Sequence, residues 1–580
     1  MNMIQKAKEQ VQQLTKQAYA AAVKENLLPE GVTVEPSVEI PKDVSNGDYT
    51  TTFCLAAAKA MKMNPRQVAT VLTEHMALEG SYFTSVEIAG PGFMNFRLGD
   101  KWFGDTVTAI ETAGEDYGCS DMLAGRKIMV EFVSANPTGP MHMGNARGGV
   151  LGDTLASVLQ KSGADVWREF YVNDAGNQIE KFAKSLEARY FQIIKGEDAV
   201  EFPEDGYHGD DIRELAQLFY NKEGDKYLDC DEKTRHDALA QFGLSHNIPK
   251  MKADLERYGI HYDEWFFESS LHESGYVADT VAALTAQGYT YEKDGALWLK
   301  TAEILAKNLR AAGKSDADIE KLALKDDVLR RANGFYTYFA ADIAYHRNKF
   351  AVRGFDKVIN IWGADHHGHV ARMKGAMDAI GLDGSRLDIV LMQMVNLMRD
   401  GKPVRMSKRT GKAITLTDLL DEVPIDSARF FFNQRESSST LDFDLDLAVR
   451  NDSENPVYYV QYAHARICSV LKKLESEGVK FEGAEAVDAA VLTDPAEQAL
   501  IRLLAAFPAE IAAAAEKYDP ARITRYCIDV ASAYHRFYNA CRILDAEGTV
   551  QQGRIALCLA VRGVIHNILT MFKVTAPETM

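Results

Sequence analysis

Two short apolar runs, separated by a turn and a helical stretch, constrain the fold of this 580-residue chain more than any other feature. They occupy residues 127–133 and 166–172, and both are rich in β-branched and aromatic residues, as buried strands are. With the helix predicted between them, they form a β-α-β unit of a parallel sheet. Similar runs at residues 358–362 and 389–392 indicate that the sheet continues further along the chain.

The regions on either side of these strands have different patterns. Apolar residues recur every third or fourth position from Ile4 to Ala18, which predicts an amphipathic helix. A helical stretch at 51–61 and three strand-like runs follow, which predicts a small α+β domain. The three runs are residues 32–35, 85–88 and 93–97.

The end of the chain is Ala-rich with sparse Gly and Pro, which is typical of a helical domain. We therefore predict a multidomain protein. Its parts are an α+β N-terminal domain over 1–115, an α/β domain with a parallel sheet over 116–445, and an all-α helical bundle over 446–580.

The net charge is −18, from 65 basic and 83 acidic residues, which argues against one broad basic surface for nucleic acid. Half of this excess lies in residues 196–237, where 14 acidic residues face five basic ones. We call these residues the acidic segment. We expect it to be a solvated part of a surface insertion at about 190–300, away from every motif, whose acidic residues can be removed with little effect on activity.

The cysteines predict a reducing compartment. There are seven, and no two lie closer than 14 positions, so no metal-ribbon or C-x-x-C pattern exists. No secretory signal and no apolar run of about 18 residues is present. We expect a cytoplasmic protein that does not bind membranes.

Residues 131–145 read EFVSANPTGPMHMGN and carry the strongest chemical signal. A strand ends in a turn made rigid by Pro and Gly, and a helix is predicted to begin near His142. A helix N-terminus at the carboxyl edge of a parallel sheet is suited to binding phosphate. Gly144 leaves room for a flat ring against the backbone. The alternative is an ordinary β-α turn with an incidental histidine.

Residues 399–412 read RDGKPVRMSKRTGK, with six basic residues and one acid. Interleaved with glycine, this pattern favours a mobile loop that closes on a polyphosphate and neutralises its charge. A solvated basic loop is the alternative.

These two motifs, in this order, resemble the HIGH and KMSKS motifs of class I aminoacyl-tRNA synthetases. Further blocks narrow the resemblance to the arginyl-tRNA synthetase family of the bacterial type. They are YVNDAGNQ at 171–178, WGADHHGH at 362–369, MSKRTG at 406–411, GPGFMNF at 90–96 and TAPE at 575–578. The resemblance implies a Rossmann-like catalytic domain that makes arginyl-adenylate from arginine and ATP, then transfers arginine to tRNA(Arg).

The resemblance also implies residue roles. His142, Asn145 and Lys408 would be catalytic, with Asn145 replacing the second histidine of HIGH. The expected ATP contacts are Pro137, Gly139, His142, Gly144, Asn145, Asp365, His366, Met394, Met406, Ser407 and Lys408. The expected arginine contacts are Glu131, Ser134, Asn136, Tyr338 and Asp342.

A guanidinium has five donors and no acceptor, so its pocket requires carboxylates. Asp342 is the expected partner, with Tyr338 one helical turn earlier. Two alternatives stay open: Glu131 as a structural ion-pair partner, and Tyr338 and Asp342 as parts of ordinary helix packing.

The helical C-terminal domain resembles the family's anticodon-binding domain, and the N-terminal domain would also contact tRNA. We expect Arg522, Arg525 and Arg542 to bind tRNA. Aromatic residues lie beside these arginines and suit the stacking of unpaired bases: Tyr526, Tyr534, Phe537 and Tyr538. Equally, aromatics at helical spacing are often core residues. We expect a monomer.

Two other classes of protein are considered. Three histidines and an aspartate at 365–369 resemble the metal-dependent DHH phosphoesterases, although no second cluster completes a two-metal site. We expect no protein-bound metal, with Mg²⁺ arriving on ATP. The second is an RNA-binding relative without activity, for which Asn145 is the one indication.

Overall fold

The computed structural model describes residues 2–404, 414–483 and 487–580. The elements of the N-terminal region are α1 (Met3–Lys24), β1 (Val38–Glu39), β2 (Tyr49–Thr51), α2 (Phe53–Met61), α3 (Pro65–Glu74), β3 (Phe83–Ala89), β4 (Phe93–Leu98) and α4 (Asp100–Ala113).

The N-terminal strands form an antiparallel sheet in the order β1-β2-β4-β3. The predicted helix is confirmed, because α1 buries Ala7, Val11 and Leu14 along one face. The strand predicted at 32–35 is wrong. The edge position beside β2 is taken by Val38–Glu39, which leaves residues 32–35 without a strand to pair with.

The elements of the middle region, in chain order, are β5 (Lys127–Glu131), α5 (Met143–Lys161), β6 (Asp165–Val172), α6 (Asn177–Lys195), α7 (Asp210–Glu223), α8 (Glu232–Arg257), β7 (Glu264–Phe267), α9 (Glu268–Glu273), α10 (Tyr276–Ala286), β8 (Thr290–Lys293), β9 (Ala296–Leu299), α11 (Thr301–Ala311), α12 (Asp316–Lys321), β10 (Asp327–Arg330), α13 (Tyr338–Arg347), β11 (Lys357–Gly363), α14 (His367–Ala379), β12 (Leu387–Met392), β13 (Val395–Arg399), β14 (Lys402–Val404), α15 (Leu416–Glu422), α16 (Ile425–Phe432), β15 (Leu441–Asp444) and α17 (Leu445–Ala448).

A five-stranded parallel sheet organises this region, in the order β12-β11-β5-β6-β7. The β-α-β unit and the later strands are therefore confirmed. Because all five strands run the same way, the segments that follow them meet at one edge of the sheet. That edge carries the candidate site.

The predicted insertion at 190–300 needs a correction, because β7 lies inside it and pairs in register with β6. A four-residue strand between two acidic helical stretches gave no sequence signal of its own. The acidic segment folds into α7 and the start of α8. It packs on α6 through a separate apolar cluster that includes Phe182, Tyr190 and Phe219.

The C-terminal region is a helical bundle of α18 (Pro456–Ser476), α19 (Pro495–Ala505), α20 (Phe507–Lys517), α21 (Ala521–Ala540) and α22 (Gly548–Met571). It also packs on the N-terminal region, since Asn567 Nδ2 donates to Gly114 O at 2.9 Å and Tyr117 Oη donates to Leu504 O at 3.1 Å. Two segments, Pro495–Lys517 and Gly548–Met571, have the length and apolar composition of membrane spans, but they are 50% and 67% buried inside the protein, as core helices are.

A buried charge cluster joins the middle and C-terminal regions. Asp153 of α5 and Arg429 of α16 form an ion pair, and both are fully buried. Arg429 also donates to Phe572 O at 2.7 Å and Tyr258 O at 2.9 Å, while Lys573 Nζ lies 2.8 Å from Asp153 Oδ1. Burial raises the pKa of Asp153, but the surrounding cations bring it below its usual range. The carboxylate is therefore charged.

Replacing Asp153→Asn is expected to destabilise the protein strongly. Arg429 would stay buried without its counter-charge, and breaking a buried pair costs about 3–5 kcal/mol. Urea unfolding followed by circular dichroism measures the effect. The matched control is Asp205→Asn, which breaks an exposed pair with Lys181 and should cost less than about 1 kcal/mol. Equal midpoints for the two variants would contradict the assignment.

Candidate active site

The turn after β5 is held in a strained conformation. Val133 and Ser134 have φ of 69° and 41°, a region that a β-branched residue rarely occupies. Ser134 Oγ donates to Glu131 Oε1 at 2.9 Å and accepts from the Tyr171 N–H at 3.1 Å. These bonds tie the turn to β5 and β6. Strain of this kind persists where the surrounding structure fixes it, and it is common at functional sites.

The helix predicted near His142 is confirmed: His142 is the N-cap residue of α5, and Met143 is its first residue. Asn145 Oδ1 accepts from the His142 N–H at 2.8 Å. An acceptor at this position satisfies one of the free donors of the first helical turn. The residue that departs from HIGH therefore caps the helix, and its amide N–H groups are left for a ligand.

A cavity of about 610 Å³, which we call cavity A, opens at this helix N-terminus. A Cβ on Gly144 would meet no atom within 4 Å, so the backbone there is open to the cavity. The predicted site residues that line cavity A are Ser134, Asn136, Gly139, His142, Gly144, Asn145 and His366. None of the described residues that line it is Lys or Arg.

Of the predicted ATP contacts in the described part of the chain, three do not line cavity A. Pro137 is buried, and its carbonyl accepts from Asn247 Nδ2 at 2.9 Å. Asp365 lies in a neighbouring cavity. Met394 is 75% exposed, and Met392 lines the cavity instead. β12 ends at Met392, so this residue reaches the edge of the sheet before the chain turns into β13.

The acidic segment was expected to be remote from the site, and this expectation is wrong. Tyr207, His208, Gly209 and Asp211 all line cavity A. The reason is long-range packing: α7 and α8 fold back on α6, which begins at the same edge of the sheet. No local sequence pattern reports such a contact.

A second cavity of about 580 Å³, cavity B, lies at the start of α13 and is lined by Tyr338. Glu268 also lines it, and the sequence analysis missed this residue. It is 2% exposed, and it accepts from Tyr171 Oη at 2.8 Å. Its position directly after β7, at the carboxyl edge of the sheet, is the feature that could have identified it as a site residue.

Carboxylates converge around Tyr171. Burial raises the pKa of Tyr171 well above its usual value, and the nearby charges of Glu268, Asp342 and Glu131 raise it further. Asp342 lines a third cavity together with Asp365 and His366. Its Oδ2 lies 3.2 Å from His369 Nε2. Three carboxylates therefore lie around Tyr171, whereas cavity A is lined by one, Asp211.

Glu131 is the partner of a buried lysine, which is the structural alternative that the sequence left open. Lys349 is fully buried, with its Nζ 2.5 Å from Glu131 Oε2 and 3.2 Å from Asn360 Oδ1. Lys349 lies on a π-helical turn at Asn348–Val352, which directs it inward. Burial lowers the pKa of Lys349 despite the adjacent carboxylate.

The basic motif at 399–412 is only partly described. Arg399 is 5% exposed and pairs with Glu422, so it is not available to a ligand. Asp400 and Gly401 form the turn between β13 and β14. Met406, Ser407 and Lys408 lie outside the described residues.

The predicted tRNA contacts differ in exposure. Arg522 and Arg525 pair with Glu510 and Asp519, whereas the side chain of Arg542 is 82% exposed. Of the predicted stacking residues, three are core residues of the bundle: Tyr526, Tyr534 and Phe537. Tyr538 is half-buried beneath the Arg466 guanidinium, which lies 4.0 Å from the ring centroid. The core alternative is therefore correct for those three.

The histidines at 365–369 do not converge. His369 pairs with Asp342 and accepts from Arg372 at its other ring nitrogen, while His366 and His367 are exposed. Within the described ranges, no group of three His, Cys, Asp or Glu side chains has the arrangement of a metal site.

Comparison with known families first gives the class of protein. The model "tRNA synthetases class I (R), catalytic domain" matches residues 106–452, around the parallel sheet and cavity A. "Arginyl tRNA synthetase N terminal domain" matches residues 5–98, and "DALR anticodon binding domain" matches residues 460–580. The fold is therefore that of a class I aminoacyl-tRNA synthetase.

Similar proteins narrow the class. The arginine–tRNA ligases of Caldanaerobacter subterraneus subsp. tengcongensis and Acetivibrio thermocellus are 53% and 51% identical, each over 100% of both chains. A solved structure titled as a putative arginyl-tRNA synthetase from Campylobacter jejuni has a TM-score of 0.72 at 32% identity, and the match covers 83% of this chain and 100% of that one. The chain belongs to the arginyl-tRNA synthetase family.

The Lys349–Glu131 pair can be tested with a double-mutant cycle. Lys349→Met leaves a buried, unpaired carboxylate and should cost about 3–5 kcal/mol of unfolding free energy. Adding Glu131→Gln removes that charge, so the double variant should recover more than half of the loss. Urea unfolding of the two single variants and the double variant measures the coupling. No recovery in the double variant would show that the charge pair is not what stabilises the turn.

Proposed function

We propose that this chain ligates L-arginine to its cognate tRNA with ATP, through an arginyl-adenylate intermediate, and releases AMP and pyrophosphate. The observation that carries this proposal is the pairing of a helix N-terminus and a group of carboxylates at one sheet edge. Cavity A is built on a helix N-terminus, and cavity B lies beside converging carboxylates. The first suits a polyphosphate and the second suits a guanidinium.

We assign cavity A to ATP. His142 and the Asn145 amide are placed to donate to the phosphates, and the first turn of α5 adds its free N–H groups. Gly144 is open to the cavity, which suits an adenine ring lying on the backbone. Gly139, His366 and Met392 line other parts of the wall, as do Tyr207, His208 and Asp211 of the acidic segment, while Pro137 shapes the turn and Asp365 lines the adjoining cavity.

We assign arginine to the acidic side, where Tyr338 and Asp342 lie one helical turn apart on α13. Glu268 adds a buried carboxylate to the same region. Ser134 and Asn136, which line cavity A, are placed to bind the backbone groups of the amino acid near the α-phosphate. Glu131 then acts by fixing Ser134.

The proposed chemistry is mainly positioning and charge neutralisation. An oxygen of the ionised arginine carboxylate attacks the α-phosphorus, and the bond from that phosphorus to the bridging oxygen breaks, releasing pyrophosphate. A hydroxyl of the terminal tRNA ribose then attacks the acyl carbon and releases AMP. Mg²⁺ enters as part of the ATP substrate.

We propose that tRNA contacts the N-terminal and C-terminal regions, with Arg542, after the end of α21, the most exposed of the three predicted arginines, and Arg522 and Arg525 at the start of the same helix. The division into domains 1–115, 116–445 and 446–580 is supported by the limits of the three family matches.

A monomer in the cytoplasm stays a prediction, and the seven free cysteines support the reducing compartment. Light scattering measures the mass in solution.

The function is tested by ATP–pyrophosphate exchange with each amino acid, with and without tRNA. Exchange is expected with arginine alone and only in the presence of tRNA, as the family resemblance implies. Charging of tRNA with radiolabelled arginine is the second measurement. Exchange with another amino acid, or none when total tRNA is added, would contradict the proposal.

Lys408 is expected to neutralise the phosphates. No Lys or Arg is among the described residues that line cavity A, so we assign the required positive charge to the basic residues at 405–412. Lys408→Ala should slow adenylate formation by about 10²–10³-fold, the size of a lost transition-state donor. Affinity for tRNA, measured by filter binding, should stay within about twofold.

The control for Lys408 is Lys402→Ala, which removes an exposed charge of the same basic motif from β14. It should leave adenylate formation within about threefold. If Lys408→Ala instead weakens only tRNA binding, the assignment of Lys408 to the phosphates is wrong.

A further inference from the structure

The acidic segment is fixed in place where it lines cavity A. The Tyr207 N–H donates to Ser185 Oγ of α6 at 2.9 Å. Two residues earlier, Asp205 pairs with Lys181 of α6 at 2.9 Å. Tyr207 is thus presented to the cavity by two contacts with the same helix, and its ring packs edge-on against Phe182.

Two successive hydrogen bonds connect Tyr207 to the arginine side of the site. Tyr207 Oη donates to Gln178 Oε1, and the Gln178 N–H donates to Tyr338 Oη at 2.9 Å. Gln178 is the second residue of α6, so its N–H has no acceptor within the helix. Tyr338 supplies that acceptor.

The start of α6 is shaped for this contact. Gly176 has φ of 75°, and a Cβ there would meet Cε1 of Tyr338 at 3.3 Å. The glycine therefore lets the tyrosine ring lie close to the helix N-terminus. Gln178 lines cavity A, and Tyr338 lines cavity B, so this contact forms part of the wall between the two.

We propose that Tyr207 and Gln178 are positioning residues that couple the two cavities, so that nucleotide in cavity A strengthens the binding of arginine in cavity B. This inference rests on the proposed function of the two cavities. It assigns a role in the reaction to the acidic segment, although this segment is distant from every motif in the sequence.

The coupling is expected to be positive, because nucleotide binding orders residues that arginine binding would otherwise have to order. A nucleotide in cavity A contacts Tyr207 and the side chain of Gln178 and thereby orders the first turn of α6, whose main-chain N–H at Gln178 is the donor to Tyr338 Oη. A guanidinium has no acceptor, so it requires the remaining lone pair of that oxygen. Arginine binds at a smaller entropic cost when Tyr338 is already ordered. By linkage, arginine strengthens nucleotide binding by the same factor.

The test is calorimetric titration of L-arginine into the full chain, without nucleotide and with saturating α,β-methylene ATP and Mg²⁺. For the natural chain, the arginine Kd should fall about fivefold or more when the nucleotide is present. Tyr207→Phe keeps the ring and removes only the hydroxyl, so the ratio should fall below about twofold. Gln178→Leu, which removes the same acceptor, should behave alike.

Tyr190→Phe is the matched control. It removes a hydroxyl that also belongs to this packing unit but donates to Gly224 O at 2.6 Å, away from both cavities. Its Kd ratio should equal that of the natural chain. In steady-state charging at saturating ATP, Tyr207→Phe should raise the arginine KM with kcat within twofold, which a general loss of folding would not do.

The outcomes separate this inference from the proposed function. Failure of the natural chain to bind arginine, or unchanged affinity in Tyr338→Ala, would overturn the assignment of cavity B and the coupling with it. If arginine binds and Tyr338→Ala weakens it, a ratio near one in the natural chain, or an unchanged ratio in Tyr207→Phe, overturns the coupling alone.

Discussion

The buried pair of Asp153 and Arg429 is the interaction on which the arrangement of the molecule depends. Both groups are fully buried, and the free energy of removing them from water is offset only because each is bonded on several sides. Asp153 lies on α5, the helix whose N-terminus forms cavity A. Arg429 reaches the last residues of α22 through Phe572 O. The position of α5, and with it of the helix N-terminus at cavity A, is therefore set partly by the C-terminal region.

This connection has a mechanical consequence. A charged hydrogen-bonded contact is directional, so it fixes the angle at which α22 meets α5 more strictly than apolar packing would. Lys573, which follows α22, and Arg168 of β6 converge on the same carboxylate. A shift of the bundle against α5 would therefore disturb the Lys573 pair and the bond from Arg429 to Phe572 O.

The sequence was informative where the pattern of neighbouring residues determines the structure. The strand that ends at Glu131, the helix that begins after His142 and the parallel order of the unit all follow from apolar runs and turn residues. The motifs identified the family because they keep fixed spacings around those elements. The same patterns also placed His142, Gly144 and Asn145 at one cavity.

The failures have a common cause, which is pairing between residues distant in the sequence. β7 has only four residues, and it is a strand because β6 offers an edge. Arg399 was counted among the basic residues available to a ligand, but it pairs with Glu422, which lies 23 positions later in the sequence. The sequence around Tyr526 and Tyr534 is compatible with a base-stacking surface and with a helical core. The packing of the bundle shows that both are core residues. The acidic segment was misjudged for the same reason.

The net charge of −18 says less about ligand binding than the local distribution of charge at the site does. A guanidinium ligand requires carboxylates and a polyphosphate requires cations, so one enzyme that binds both must keep the two fields apart over a short distance. In this chain Glu268 is buried and Glu131 is paired with Lys349, while cavity A offers a helix N-terminus and three histidines beside one carboxylate, Asp211. Helix dipoles and neutral donors bind phosphate without adding fixed charge beside an acidic pocket.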